Sequence, residues 1–420
     1  MTTFHYENKE LYIEDVPVEK IAEEVGTPFY CYSETKIREQ YGHFAAAVSD
    51  LRATICFAVK ANANIAVLKT LAAMGAGADI VSGGELLLAR MAGIPANKIV
   101  FSGVGKTEDE LMLAVREGIK QVNIESEAEA VMLNEIASIE GKRVNVALRV
   151  NPDVDARTHE KMTTGKKENK FGIEWNDVIP LYKMICRLKG LHVSGIDVHI
   201  GAQMTALEPM REAFQKLADM IHELNRIGLE IRTIDVGGGL GIAYRESDTP
   251  PGVTEYIDVL KETLGTFNCE FIFEPGRYLV AEAGFLITKV LYLKKAQEKM
   301  FAVVDAGMND LIRPALYDAW HDIIPVTEPG TVRRRAYTVV GPICESSDVF
   351  AKNRPLHFLR EGSLVALRDA GAYGTTMSSN YNMRPLVPEV LVKGNRYAVV
   401  RQRQSFEDLI ALQSPAPWQE

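Results

Sequence analysis

The chain has 420 residues, 47% hydrophobic and 25% charged, the balance of an ordinary globular protein with room for one large domain or two smaller ones. Its 47 basic and 56 acidic residues leave a net charge of −9 without any basic run, so neither nucleic acid nor an anionic membrane is expected as a partner. No stretch approaches the roughly 18 apolar residues of a membrane-spanning helix, and the polar, acidic start Met1-Thr2-Thr3-Phe4-His5-Tyr6-Glu7 shows no signal peptide.

A strand-like stretch, Leu11–Pro17, comes first. From Thr54 to about Gly276, short β-branched runs alternate with helical patterns. The runs are Thr54–Lys60, Ala78–Ser82, Lys98–Gly103, Gln121–Ser126, Asn145–Val150, Gly195–Ile200, Thr233–Gly237 and Glu270–Gly276. Between them lie amphipathic stretches such as Asn64–Met74, Glu85–Met91, Glu108–Arg116, Ala128–Ile139 and Met210–Ile227. Eight strands joined by helices predict an α/β fold of the (β/α)₈ TIM-barrel kind, with a doubly wound open sheet as the rival. After Arg277 the helices drop out. Alternating runs remain at Phe285–Leu293, Met300–Asp305, Arg335–Val340, Ser363–Leu367 and Glu389–Arg401, the last with a hairpin turn at Lys393-Gly394-Asn395-Arg396. The expected organisation is a barrel over residues 30–276 and a second, β-rich domain built from 1–29 and 277–420.

A barrel's chemistry gathers at the carboxyl ends of its strands. Read in order, those ends carry Lys60, then Asp79 with Ser82, Arg149, His199, the run Gly237-Gly238-Gly239-Leu240-Gly241, and Glu274-Pro275-Gly276-Arg277. A lysine that loses water at such an end is a nucleophile. Glycines after the seventh strand let backbone N–H groups approach an anion, or merely give flexibility. Arg277 beside them suits a phosphate or a carboxylate, if it is not a boundary salt bridge. A phosphate site and a nucleophilic lysine together point to pyridoxal 5′-phosphate. Glu274 would then face the ring nitrogen, and His199 would stack on the ring unless it is only a core histidine. The cysteines, Cys31, Cys56, Cys186, Cys269 and Cys344, are odd in number and lack CxxC spacing. Neither a disulfide framework nor a metal site is expected, and a reduced, cytoplasmic setting is.

The stretches Phe57-Ala58-Val59-Lys60-Ala61-Asn62, Val81-Ser82-Gly83-Gly84-Glu85-Leu86, His199-Ile200-Gly201, Gly237-Gly238-Gly239, Glu274-Pro275-Gly276-Arg277 and Gly341-Pro342-Ile343-Cys344-Glu345-Ser346-Ser347-Asp348 resemble the fold type III pyridoxal-phosphate decarboxylases. The stretches Asp305–Tyr317 and Gly371-Ala372-Tyr373-Gly374 are most like the branch of that family acting on diaminopimelate. The resemblance runs from about residue 25 to 405. It implies decarboxylation of meso-2,6-diaminopimelate to L-lysine and CO₂, the last step of lysine biosynthesis. Lys60 would hold the cofactor as a Schiff base, with Asp79 and His199 around it. Gly238, Gly239, Gly276, Arg277 and Tyr373 would bind its phosphate. Arg277, Arg313, Tyr317, Glu345 and Tyr373 would bind substrate, and Cys344 would be the proton donor. Cys344 and Glu345 would enter from a partner subunit, so the resemblance also implies a homodimer with shared sites. One departure is Ala202, where the family usually carries a serine that helps to hold the cofactor.

Arg313 separates the rival substrates. A cationic side chain suits a distal carboxylate, which diaminopimelate has; for ornithine, arginine or carboxynorspermidine an acidic residue is expected instead. A non-catalytic homologue would have lost Lys60 or Cys344, and an alanine-racemase-like enzyme lacks the Cys344 motif. The charged run Lys166-Lys167-Glu168-Asn169-Lys170 is expected to be a loop near the site.

Overall fold

The computed structural model describes residues 3–156, 164–165, 170–328, 330 and 333–419; Lys166–Asn169 of the charged run lie outside them. The chain divides into two compact units, Ile37–Leu279 and Met1–Lys36 with Val280–Glu420.

The first unit is a closed parallel barrel. Its eight strands are Ala53–Ala58, Gly77–Ile80, Ile99–Phe101, Gln121–Ile124, Val144–Asn151, Leu191–Val198, Thr233–Asp235 and Glu270–Phe273. Each pairs in parallel with the next, the eighth pairs with the first through Phe271↔Ala53, and Val122↔Val146 joins the fourth to the fifth. This excludes the open sheet. A short extra strand, Ile173–Glu174, pairs with the end of the fifth.

The strands form where the sequence runs apolar on both faces, as a sheet covered by helices requires; Cys56, Phe57 and Ala58 are all buried. The helices follow from amphipathic spacing and caps. Glu208–Arg226 buries Met210, Ala213, Phe214, Leu217, Ile221 and Leu224, a single stripe at helical spacing. Asn64, Ser82, Thr107 and Ser126 cap the four helices that follow the first four strands. Ser82 is therefore spent on Glu85 N at 3.2 Å, while Glu85 Oε2 accepts from Val81 N at 2.8 Å. Part of the Val81–Glu85 motif is helix capping.

In the second unit the long strand Gly284–Ala296 is the pivot. Its first half pairs antiparallel with Phe29–Ser33 and Leu364–Leu367, its second half with Lys299–Val304. Arg334–Val340 and Val349–His357 continue the sheet on one side. The hairpin Glu389–Lys393 with Arg396–Arg401 continues it on the other, with Gly394 and Asn395 as the turn. Leu11–Pro17, expected as one stretch, is two strands, Glu10–Ile13 and Val16–Pro17. They turn at Glu14 (φ +53°) in a separate three-stranded sheet with Phe4–Glu7. Leu11, Ile13, Val16 and Ile21 pack with Phe29, Phe285, Ile287, Val390 and Val392 in one apolar core. The turn is fixed by the buried Glu14 carboxylate, which accepts from Ser33 Oγ (2.6 Å), Thr35 N (2.9 Å), Thr35 Oγ1 (2.8 Å) and Gly394 N (2.6 Å).

Candidate active site

The carboxyl end of the barrel brings Lys60, Asp79, His199, Gly238, Gly239, Glu274, Gly276 and Arg277 to one rim, because each directly ends or follows a parallel strand. Lys60 sits two residues past its strand, in the single 3₁₀ turn Val59–Ala61. Its Nζ lies 2.5 Å from Asp79 Oδ2. Asp79 is fully buried, and its Oδ1 has no hydrogen-bond partner among the described residues.

The glycine run after the seventh strand is a matter of close packing, not of flexibility. Gly237 and Gly239 have φ of +65° and +107°, where side chains are strained. A Cβ on Gly238 would lie 2.2 Å from the carbonyl oxygen of Glu274, and one on Gly239 would lie 2.5 Å from that of Gly201. The loop after the sixth strand holds this run in place. Met204 N donates to Gly239 O and Gly241 N to Met204 O, at 2.9 and 3.1 Å, and Gln203 Nε2 donates to Ile242 O at 2.7 Å. The backbone of this run is thereby held where positions 238 and 239 have no room for a side chain. Arg277 is buried beside it and donates from Nη1 to Tyr244 Oη at 2.6 Å.

Beneath the rim lies an excess of buried acid. Burial first, and then the charges of Asp235, Asp79 and Asp197, push Glu274 well above the usual carboxylate range, with Lys60 opposing. Ser102 Oγ donates to Glu274 Oε1 at 3.3 Å, and Asn123 Nδ2 reaches Ser102 Oγ at 3.1 Å and Asp235 Oδ2 at 3.2 Å. Arg149 is spoken for by Glu125 at 3.1 Å and stacks 4.8 Å from the Phe171 ring. Burial, then Arg149 and Lys60, holds half-buried His199 well below its usual value, so its ring is neutral near pH 7. Its Nδ1 lies 3.3 Å from Thr164 Oγ1.

Sequence reasoning reached the strand-end residues but not Tyr244, Asn123, Ser102 or Asp235. Asp235 stands two residues before the glycine run, and that proximity was its only signal. Arg313, Tyr317, Cys344, Glu345 and Tyr373 belong to the second unit. Arg313 is buried and opens the short helix Arg313–Tyr317. Cys344 and Glu345 are exposed on a clamped loop. There Asp348 accepts from Met308 N and Ile343 N, both at 2.7 Å, Asn382 Oδ1 accepts from Cys344 N at 2.9 Å, and Tyr381 Oη donates to Glu345 Oε2 at 2.8 Å. Tyr373 has φ +56°, a left-handed conformation between Ala372 and Gly374.

The acid cluster around Glu274 suits a cation, and the glycine loop beside Arg277 suits an anion. Pyridoxal phosphate carries both, a protonated ring nitrogen and a phosphate, with an aldehyde to meet the amine of Lys60. The donor set fits that molecule, and the class it defines is the barrel-fold pyridoxal-phosphate enzyme. The model of the pyridoxal-dependent decarboxylase pyridoxal-binding domain matches residues 34–281. The diaminopimelate decarboxylase of Vibrio cholerae is 48% identical over 419 residues, covering 99% of this chain and all of that one. The crystal structure of diaminopimelate decarboxylase from Helicobacter pylori complexed with L-lysine is 39% identical, with a TM-score of 0.91 over 94% of this chain and 98% of that one. The enzyme of M. jannaschii, in co-complex with L-lysine, is 36% identical, with a TM-score of 0.94 over 99% and 98%. The chain belongs to the diaminopimelate decarboxylase family. No helix among the described residues is long and apolar enough to cross a membrane.

Proposed function

We propose that the chain decarboxylates meso-2,6-diaminopimelate to L-lysine and CO₂, the closing step of lysine biosynthesis in the cytoplasm. Full-length similarity to enzymes of that name supports the reaction. The observation that carries the choice of substrate is Arg313, a cation only 2% exposed. A buried guanidinium suits a distal carboxylate and repels the distal ammonium of ornithine or the guanidinium of arginine.

When bound, pyridoxal phosphate supplies an aldehyde that condenses with amines and a ring that delocalises the electron pair left by departing CO₂. The roles of this chain's residues follow. Lys60 would offer the amine that holds the cofactor, and Asp79 would hold the charge of that amine whenever it is free. Gly238, Gly239 and Gly276 supply backbone N–H groups to the phosphate, with Arg277 and Tyr373 adding side-chain donors; Arg277 and Tyr373 also serve the substrate. Glu274, with its raised affinity for a proton, would face the ring nitrogen and keep that position protonated, and neutral His199 would stack on the ring. Arg313 and Tyr317 bind the distal carboxylate, and Glu345 pairs with the distal amine. Cys344 gives its thiol proton to the carbon that has lost CO₂.

Cys344 and Glu345 act in a partner subunit's site, so the working protein is a homodimer; their exposure on a rigid loop supports this. The test is a side-by-side assay of the purified protein with meso-diaminopimelate, ornithine and arginine. CO₂ release from the first alone is expected. Turnover of ornithine or arginine at a comparable kcat/KM removes the substrate assignment.

A further inference from the structure

We infer that His321 is a positioning residue that holds Arg313 in place to receive the distal carboxylate. The inference deepens the substrate reading above and rests on it. His321 is fully buried, and both ring nitrogens are committed. Nδ1 lies 2.7 Å from the carbonyl oxygen of Arg368, and Nε2 lies 2.9 Å from Arg313 Nη1. A carbonyl only accepts and a guanidinium only donates, so the two contacts allow one arrangement. Nδ1 carries the proton and gives it to Arg368 O; Nε2 offers its lone pair to Arg313. The ring is therefore neutral, and it anchors a cation without neutralising it. That distinction matters for recognition. A carboxylate in the place of His321 would set a negative charge beside the guanidinium, which the neutral ring does not.

The backbone that carries His321 is itself fixed from several directions. Arg354 Nη1 donates to the His321 carbonyl oxygen, and the Arg354 guanidinium lies 3.4 Å from the centre of the Trp320 ring. Trp320 Nε1 donates to Asp322 Oδ1 at 3.0 Å, and Arg368 N donates to Asp322 O at 2.8 Å. Residues 320–322 thus bridge strand Val349–His357 to the end of strand Leu364–Leu367. The helix that Arg313 opens has only five residues, Arg313–Tyr317, too short to orient a long side chain by itself. An outer hydrogen bond of this kind sets the geometry of the group that touches the ligand.

The experiment compares His321→Gln, His321→Asn, His321→Ala and Arg313→Ala in the holoenzyme. Glutamine reaches far enough to present an amide oxygen to Arg313; asparagine keeps a donor toward Arg368 O but falls short of Arg313. KM and kcat for meso-diaminopimelate are measured, together with the calorimetric Kd of L-lysine, which retains a carboxylate, and the absorbance of the bound cofactor. His321→Asn and His321→Ala should raise KM and the lysine Kd about tenfold or more, with kcat and absorbance little changed. His321→Gln should restore both constants to within about threefold of the parent. If His321→Ala does not fold, the asparagine and glutamine pair decides. Unchanged constants in His321→Asn, equal losses in the glutamine and asparagine variants, or a fall in kcat without a rise in KM would each overturn the assignment. Arg313→Ala keeps the two readings apart. If it leaves the lysine Kd unaltered, the substrate reading fails; if it weakens lysine while the His321 variants do not, only the positioning role fails.

Discussion

Lys60 Nζ meets Asp79 Oδ2 at 2.5 Å, yet about a third of the lysine side chain is open to solvent while the aspartate side chain is sealed. The amine is reachable and its charge is held from below, which is what a lysine that exchanges partners needs. Lys106 is the contrast. It is buried, and Nζ donates to Gly103 O, Asn123 O and Glu129 Oε1, using all three N–H groups. Borohydride reduction of the holoprotein followed by peptide mapping should therefore fix the cofactor on Lys60 and leave Lys106 unlabelled. A label on any other lysine would end the assignment of Lys60.

The acid cluster makes the cofactor-free protein sensitive to pH. Burial, and then the charge of Asp79, raise Asp235 to about 7 against the hydrogen bond from Gly237; an unfolded aspartate releases its proton near 3.9. The native state keeps a proton that the unfolded chain gives up. Stability from this group is full below about pH 4 and is lost as pH rises through about 7. Melting curves of the cofactor-free protein from pH 4 to 8 should show that decline, and Asp235→Asn should flatten it. An unaltered slope in the variant would place the titration elsewhere.

Alanine at Gly238 or Gly239 should weaken cofactor binding by about tenfold or more. Gly238→Ala forces its new methyl against the Glu274 backbone, and Gly239→Ala adds backbone strain at φ +107°. Titration of the cofactor by absorbance, with far-ultraviolet circular dichroism as the control for folding, measures the effect. Full affinity in both variants would remove the loop from the phosphate site.

Shared sites predict complementation. Lys60→Ala and Cys344→Ala proteins, each nearly inactive, should regain part of the parent's activity after chain exchange, since one site of the hybrid keeps both groups. Activity that stays at the level of the two variants, with exchange verified by pull-down of a tagged chain, would put the thiol in its own subunit's site.

Glu14 should matter to stability and not to chemistry. Its carboxylate receives four donors, and Glu14→Ala leaves them buried without a partner at a cost of about 2–4 kcal/mol. Denaturant titration should show that loss, with KM unmoved. A stability change under about 0.5 kcal/mol would mean that water replaces the carboxylate.

All eight barrel strands were legible because a sheet buried on both faces runs largely apolar, as in Ile55-Cys56-Phe57-Ala58, and because helical patterns separate the runs. The strand-end residues were legible by position. Strand Val349–His357 was hidden, since Lys352-Asn353-Arg354-Pro355 interrupts it with polar residues and a left-handed Asn353 (φ +47°). Helix Glu34–Ala47 was not singled out, although Ile37, Tyr41 and Phe44 keep helical spacing and are buried. The network of Ser102, Asn123 and Asp235 was beyond reach, because it joins the ends of strands far apart in sequence. His321 lies in Asp318–Asp322, outside any helix or strand, and no periodicity marks it.

The barrel unit is one uninterrupted stretch, but strand Phe29–Ser33 finds its neighbours in Gly284–Ala296 and Glu389–Lys393. A ribosome adding about 5–20 residues per second exposes Phe29-Tyr30-Cys31-Tyr32 for on the order of ten seconds before the first of those neighbours exists. It completes the sheet only after Glu389–Lys393 has been made. That apolar segment therefore stays unpaired through most of translation, and a chain stopped before Glu389 would carry a permanently open sheet edge.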